Sequence, residues 1–411
     1  MGTSMETGGV QGKTSRVVQL MKNFHASELK HFPKRMTERV ESPCFVVNED
    51  LLKKNLEILD KVRKKSGAKV LLALKAFAMH SAFPIMRRYL DGTAASGPIE
   101  ARLGSEEFGK EVHTFAVAFS ENDMKEAIKY STTIIFNSIA QWKKYRHMIE
   151  SSAKEIDIGL RVNPGRSSVG TDMYNPTLPG SRLGVNPKDL KGIDLDGIDG
   201  LHFHALCEQN ADSLVKVLKS FESRYSKLIP KMKWVNWGGG HHITRADYDL
   251  NLLIRTINDF KKRYGVQVHL EPGEAVALNA GILVSTVMDT TYNGMDIAIL
   301  DTSAEAHMPD VLAQPYRPSI IGAGRPGEQR YTYRLGGLTC LAGDVIGDYS
   351  FPRRLKIGDR LVFLDMAHYS MVKTTTFNGI RHPSLALYSK KSKYARVVRR
   401  FGYGDYKNRL S

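Results

Sequence analysis

The chain has 411 residues, 42% of them hydrophobic and 25% charged, with a net charge of +16 and only three cysteines. That length exceeds what one hydrophobic core ordinarily serves, so two domains are expected. No apolar run is long enough to cross a bilayer, the N-terminus lacks a secretory h-region, and Cys44, Cys207 and Cys340 are too scattered for a disulfide framework. A cytoplasmic protein is expected.

The basic residues are spread along the chain. The densest run, Lys390, Lys391, Lys393, Arg396, Arg399 and Arg400, reads as a solvated terminal face. Neither zinc-finger spacing nor an RNP-type aromatic motif is present, so no nucleic-acid or membrane partner is expected.

Residues 1–38 read as a flexible N-terminal extension: a Gly/Ser/Thr-rich start, then a basic stretch with few acids. A surface arm is the plain reading, with organellar targeting as the alternative. Residues 39–281 are expected to form a barrel and 282–411 a β domain with a basic tail. A first helix follows Asn48, a capping residue, with Glu49 and Asp50 in its first turn and Leu52, Leu56 and Leu59 on one face. Strands are expected at Val70–Lys75, Thr93–Ser96, Val112–Ala118, Thr133–Asn137, Ile156–Asn163, Gly200–His204, Trp234–Trp237 and Gln267–Glu271. Helical patterns lie between most of them, as at Glu121–Tyr130, Ile139–Ser151, Ala211–Leu228 and Arg245–Tyr264. Eight such strands predict an α/β fold, a parallel (β/α)8 TIM barrel. After Gly281 the pattern turns to strands at Ile282–Met288, Met295–Leu300, Tyr331–Leu335 and Arg360–Leu364 with Gly/Pro/Asp turns. A C-terminal all-β, Greek-key barrel-like domain is predicted, to which Pro43–Val47 adds a strand.

Unusual residues fall at C-terminal strand ends, where barrel enzymes build their sites: Lys75, Ser96, Asn163, His204, Gly238-Gly239-Gly240 and Glu271. A lysine desolvated there loses its proton readily and attacks carbonyls, including the aldehyde of pyridoxal phosphate. Consecutive glycines let backbone N–H groups approach a phosphate. Glu271 suits a pyridine nitrogen, although a plain salt bridge is the alternative. His204 can stack on a ring. The His202–His204 pair is read against metal binding, since no carboxylate or third histidine has suitable spacing. Cys340 sits among glycines in a loop rather than a core strand, which favours a functional thiol.

Taken together, these residues resemble the fold-type III pyridoxal-phosphate decarboxylases, the alanine-racemase-like group of ornithine, arginine and diaminopimelate decarboxylases. The finer resemblance is to carboxynorspermidine/carboxyspermidine decarboxylases. Leu72-Ala73-Leu74-Lys75, Leu90–Pro98, Gly159–Gly165, Ser181–Val185, Glu271–Ala275, Glu305-Ala306-His307, Cys340–Asp344 and Phe377-Asn378-Gly379 carry it. The resemblance implies a homodimer that binds pyridoxal 5'-phosphate and decarboxylates a carboxylated polyamine in polyamine biosynthesis. It implies Lys75 as the Schiff-base lysine, His204 as the ring-stacking histidine and Glu271 as the ring-nitrogen partner. Gly238 to Gly240 match the phosphate loop, with Ser96 and Tyr369 as further cofactor contacts. Cys340 matches a catalytic cysteine sent across the dimer interface. Arg182, Glu274, His307, Asp310 and Asp344 are expected to bind substrate, the three acids facing its amines. Ornithine and diaminopimelate decarboxylases usually carry arginine where this chain has Glu274, which favours a cationic distal group. Leu206-Cys207 stands where many have Gly-Ser beside the phosphate, so one phosphate contact is expected from elsewhere. A diaminopimelate- or ornithine-type decarboxylase, or a non-catalytic cofactor-binding regulatory homologue, is the alternative.

Overall fold

A computed structural model describes residues 30–411. They form two compact units: Leu52–Leu278, and the residues up to Leu51 together with Asn279–Ser411. The expected divisions after 38 and 281 therefore shift, because β1 (Cys44–Asn48) pairs within the second unit.

In the first unit, β2 (Lys69–Ala73), β3 (Gly92–Ala95), β4 (Glu111–Phe115), β5 (Thr133–Phe136), β6 (Asp157–Arg161), β7 (Gly200–His202), β8 (Trp234–Asn236) and β9 (Gln267–Leu270) close into a parallel barrel. Their apolar residues are buried on both faces; Leu71, Leu72, Ile134, Ile135, Val235 and Val268 are all inaccessible. The surrounding helices begin where the sequence offers caps. Ser120 accepts from the Asp123 N–H and Asp123 accepts from the Ser120 N–H, which starts the helix Glu121–Tyr130. The helix Glu49–Ser66 is capped by Asn48, whose Oδ1 accepts from the Asp50 and Leu51 N–H groups. Its residues Leu52, Leu56 and Leu59 are fully buried along one stripe.

The second unit is a mixed sheet of β1, β10 (Gly281–Tyr292), β11 (Asp296–Leu300), β12 (Tyr331–Gly336), β13 (Val345–Phe351), β14 (Arg360–Leu364), β15 (Ser384–Tyr388) and β16 (Arg396–Arg399). Strand order is β13-β12-β11-β10-β1-β15-β16, with β14 also paired to β10. The pairs β1–β15 and β11–β12 are parallel. Part of the expected solvated tail is thus a strand, β16 on β15. The described part of the expected N-terminal arm is also packed: Phe32 and Met36, with Val40 just after it, bury against Cys44, Val46, Ile282 and Val284. The rest of that arm, residues 1–29, lies outside the described residues. No helix among the described residues is long and apolar enough to cross a membrane.

Candidate active site

Every barrel strand ends one to three residues earlier than the sequence suggests. The expected site residues therefore stand just past the C-terminal strand ends, on the loops that carry chemistry in such barrels. Lys75, two residues beyond β2, makes no hydrogen bond or ion pair among the described residues. Solvent reaches it, yet protein atoms crowd its other sides. That crowding, which decides the direction, and then the Arg161 cation hold its pKa below the usual lysine value, against the pull of Glu271 and Glu100.

Glu271, one residue past β9, accepts a hydrogen bond at Oε1 from Asn236 Nδ2, 2.7 Å away. Its Oε2 lies 3.6 Å from His202 Nε2. Burial pushes this carboxyl up, but His202 and the Asn236 bond outweigh it and leave the pKa at about 2. Burial at the same time pushes His202 down, toward its neutral form. These two tendencies cannot both be complete, because a neutral imidazole attracts the carboxylate less. The Asn236 donor and the nearby Arg161 guanidinium, whose own pKa Glu271 supports, are sufficient reason to hold Glu271 ionised. Arg161 is buried at the end of β6, 4.6 Å from the centre of the Phe115 ring, and burial lowers it to about 10.

The glycine triplet follows β8. Gly238 N–H donates to Asn236 Oδ1 (2.8 Å) and Gly239 N–H to His204 Nδ1 (3.0 Å). Both groups are committed to the protein; within the triplet only the Gly240 N–H has no protein acceptor among the described residues. Glycine is required there, since φ is +82° and a Cβ would stand 1.9 Å from the Leu206 carbonyl oxygen. Burial first, then Lys75 and Arg161, hold His204 well below its ordinary pKa. The neutral ring accepts at Nδ1 and so carries its proton on Nε2.

Ser96 is exposed just past β3, and its N–H donates to Glu100, 2.6 Å away. Glu274 lies 3.1 Å from His242 Nε2, two residues past the glycine triplet. Cys207 belongs to the same group: burial, then Glu208 and Glu274, push its thiol up to about 11. Arg182 is exposed, and its carbonyl accepts from Asn137 Nδ2.

The remaining expected residues lie in the second unit. Cys340 is an exposed free thiol whose N–H donates to Asn378 Oδ1, 2.8 Å away. Asp344, expected to face a substrate amine, is instead buried in its own loop. It accepts from Ser303 Oγ, the Ala304 and Glu305 N–H groups, and both the N–H and Oγ1 of Thr339. Five donors saturate a carboxylate, which has about four lone-pair sites. His307 is likewise internal: its Nδ1 accepts from the Ser303 N–H and its Nε2 faces the Arg381 carbonyl at 3.1 Å, where it donates. Burial lowers it to about 4. Asp310 is paired with Lys373. Tyr369 adopts φ +51° in a turn after β14, with Lys373 5.7 Å from its ring centre.

Sequence reasoning passed over Asn236 and Arg161 and read His202 only as a possible metal ligand. All three are terminal residues of barrel strands. The signal was available: a polar side chain inside an otherwise apolar parallel strand has to be satisfied by something.

The family pattern described as "Pyridoxal-dependent decarboxylase, C-terminal sheet domain" matches residues 44–367. A carboxynorspermidine/carboxyspermidine decarboxylase of Campylobacter jejuni is 47% identical over 380 residues, 90% of this chain and 98% of that one. A carboxyaminopropylagmatine decarboxylase of Synechocystis is 45% identical over 371 residues, 90% of this chain and 95% of that one. Among solved structures, carboxynorspermidine decarboxylase from Campylobacter jejuni complexed with norspermidine has a TM-score of 0.83 at 46% identity, covering 90% of this chain and 100% of that chain. Diaminopimelate decarboxylase from Helicobacter pylori, at 16% identity and a TM-score of 0.78, shares the fold. With its parallel barrel, its sheet unit and this degree of identity, the chain belongs to the pyridoxal-dependent decarboxylases.

Proposed function

We propose that this enzyme decarboxylates carboxynorspermidine or carboxyspermidine, yielding norspermidine or spermidine, with pyridoxal 5'-phosphate held at the C-terminal end of the barrel. The observation that carries the reading is the unpaired Lys75 amine, depressed in pKa, beside an ionised Glu271 and a neutral His204.

These residues fit that cofactor. Lys75 supplies an amine nucleophile for its aldehyde carbon. The Gly240 N–H, at a position a Cβ would fill, suits its phosphate. Glu271 would hold a proton at the ring nitrogen, and the His204 ring would give a flat face to stack on. The bound group supplies the electron sink that lets the carbon–carboxylate bond break. Arg161 keeps positive charge beside Glu271, so the carboxylate stays ionised. Lys75 or Cys340 would supply the proton that takes the place of the lost carboxylate on the substrate carbon. A homodimer and a cytoplasmic location belong to the proposal, as does Tyr369 as a phosphate contact. Asp310 is paired with Lys373 through Oδ1, so Oδ2 is the oxygen that would meet a substrate amine.

The Synechocystis relative favours one second reading, carboxyaminopropylagmatine as substrate. Carbon dioxide release from these three substrates, with diaminopimelate and ornithine offered beside them, separates the readings. Release from none, or only from diaminopimelate or ornithine, rejects both.

A further inference from the structure

We propose that Asn236 is a positioning residue that couples the ring-nitrogen carboxylate to the phosphate loop. The inference rests on the cofactor reading above. Asn236 is completely buried at the end of β8. Its Nδ2 donates to Glu271 Oε1 at 2.7 Å, and its Oδ1 accepts from the Gly238 N–H at 2.8 Å. The Glu271 N–H in turn donates to the Gly238 carbonyl at 2.8 Å. One amide and one main-chain bond therefore join the residue facing one end of the cofactor to the loop facing the other.

The chemistry of the link is specific. Glu271 needs a donor and Gly238 needs an acceptor, and only a side chain with both on one planar group serves them together. Aspartate has the same shape and keeps the acceptor, but sets a second anion against Glu271. Leucine offers neither. Among the described residues, Glu271 has only His202 at 3.6 Å on its other oxygen, and neither ring nitrogen of His202 has a hydrogen-bond partner. Loss of the Asn236 donor would thus leave the carboxylate poorly held and move the glycine loop with it.

The test uses Asn236→Asp, Glu271→Gln and the double variant, each as the full chain stripped of cofactor and titrated with pyridoxal phosphate. In the double variant the introduced glutamine amide donates to the introduced aspartate, so the bond returns with reversed polarity. Absorbance and tryptophan fluorescence give the affinity, and the absorbance maximum of the bound cofactor reports the ring's environment. Asn236→Asp is expected to weaken binding roughly tenfold to a hundredfold, the range seen when an outer-shell partner is lost, and to shift the maximum. The double variant is expected to bind within about twofold of Glu271→Gln alone, while its turnover stays lost. Wild-type affinity and spectrum in Asn236→Asp, or additive losses in the double variant, overturn the coupling. If Asn236→Asp does not fold, a folded double variant supports the link and an unfolded one overturns it. A wild-type chain that neither binds pyridoxal phosphate nor releases carbon dioxide would instead defeat the proposed function.

Discussion

Replacing Asp344 with asparagine separates two roles that one carboxylate could play. In the structure it is 5% exposed and anchors the loop that presents Cys340. Its Oδ2 takes Ser303 Oγ at 2.9 Å, Thr339 Oγ1 at 2.7 Å and the Thr339 N–H at 3.1 Å, while Oδ1 takes the Ala304 N–H at 2.8 Å. With asparagine, an amide NH2 must replace one oxygen. Placed at Oδ2 it confronts three donors: the two hydroxyls can turn and accept, but the Thr339 N–H cannot. A stranded buried N–H costs about 1–3 kcal/mol, and the remaining bonds lose their charge assistance, worth ~1 kcal/mol more. Asp344→Asn should therefore lower stability by about 3 kcal/mol in urea unfolding. It should also speed alkylation of the Cys340 thiol by loosening its loop. Gly337 belongs to the same anchor, because a Cβ there would meet Asp344 Oδ2 at 2.3 Å. Unfolding within ~0.5 kcal/mol of wild type, together with a large rise in KM, would refute this and return Asp344 to the substrate.

Three further outcomes follow from the same structure. Gly240→Ala forces a Cβ against the Leu206 carbonyl at positive φ, a strain of about 1–3 kcal/mol, and should weaken pyridoxal-phosphate binding in a titration; unchanged affinity would remove Gly240 from the phosphate site. Burial holds both His307 and His241 at about 4. Unfolded, each titrates near ~6.5, so the unfolded chain binds more protons between those values, and stability falls as pH drops through that window by up to about 3 kcal/mol per residue. Urea midpoints at neutral and acid pH should therefore lie closer together in His307→Gln than in wild type; equal pH slopes would contradict the burial argument. Borohydride reduction should fix the cofactor covalently to wild type but not to Lys75→Ala, which should also lose turnover. Covalent attachment in that variant would point to another lysine.

The barrel was legible because its strands are short apolar runs buried on both faces, and parallel strands have that composition. Their ends were overrun because apolar character continues for a residue or two into the loops, as at Leu74 after β2. In the sheet unit, β13 was missed because Gly347 and Asp348 interrupt its pattern, and β16 because Val397 and Val398 are hidden between arginines. The candidate site shows the same division. Residue types with distinctive chemistry at strand ends, Lys75, His204 and Glu271, stood out from the sequence. The residues that hold them, Asn236, His202 and Arg161, are set by partners far apart in the chain: Asn236 meets Glu271 across 35 positions. The internal bonding of Asp344 and His307 was hidden for the converse reason. A carboxylate and an imidazole in a matched segment look like ligands until their local donors and acceptors are seen.

The most direct test of the account is carbon dioxide release from the pyridoxal-phosphate-loaded chain offered carboxyspermidine, carboxynorspermidine, carboxyaminopropylagmatine, meso-diaminopimelate and ornithine side by side. The account predicts turnover of carboxyspermidine or carboxynorspermidine well above that of diaminopimelate or ornithine. Turnover confined to diaminopimelate or ornithine, or none at all, would contradict it.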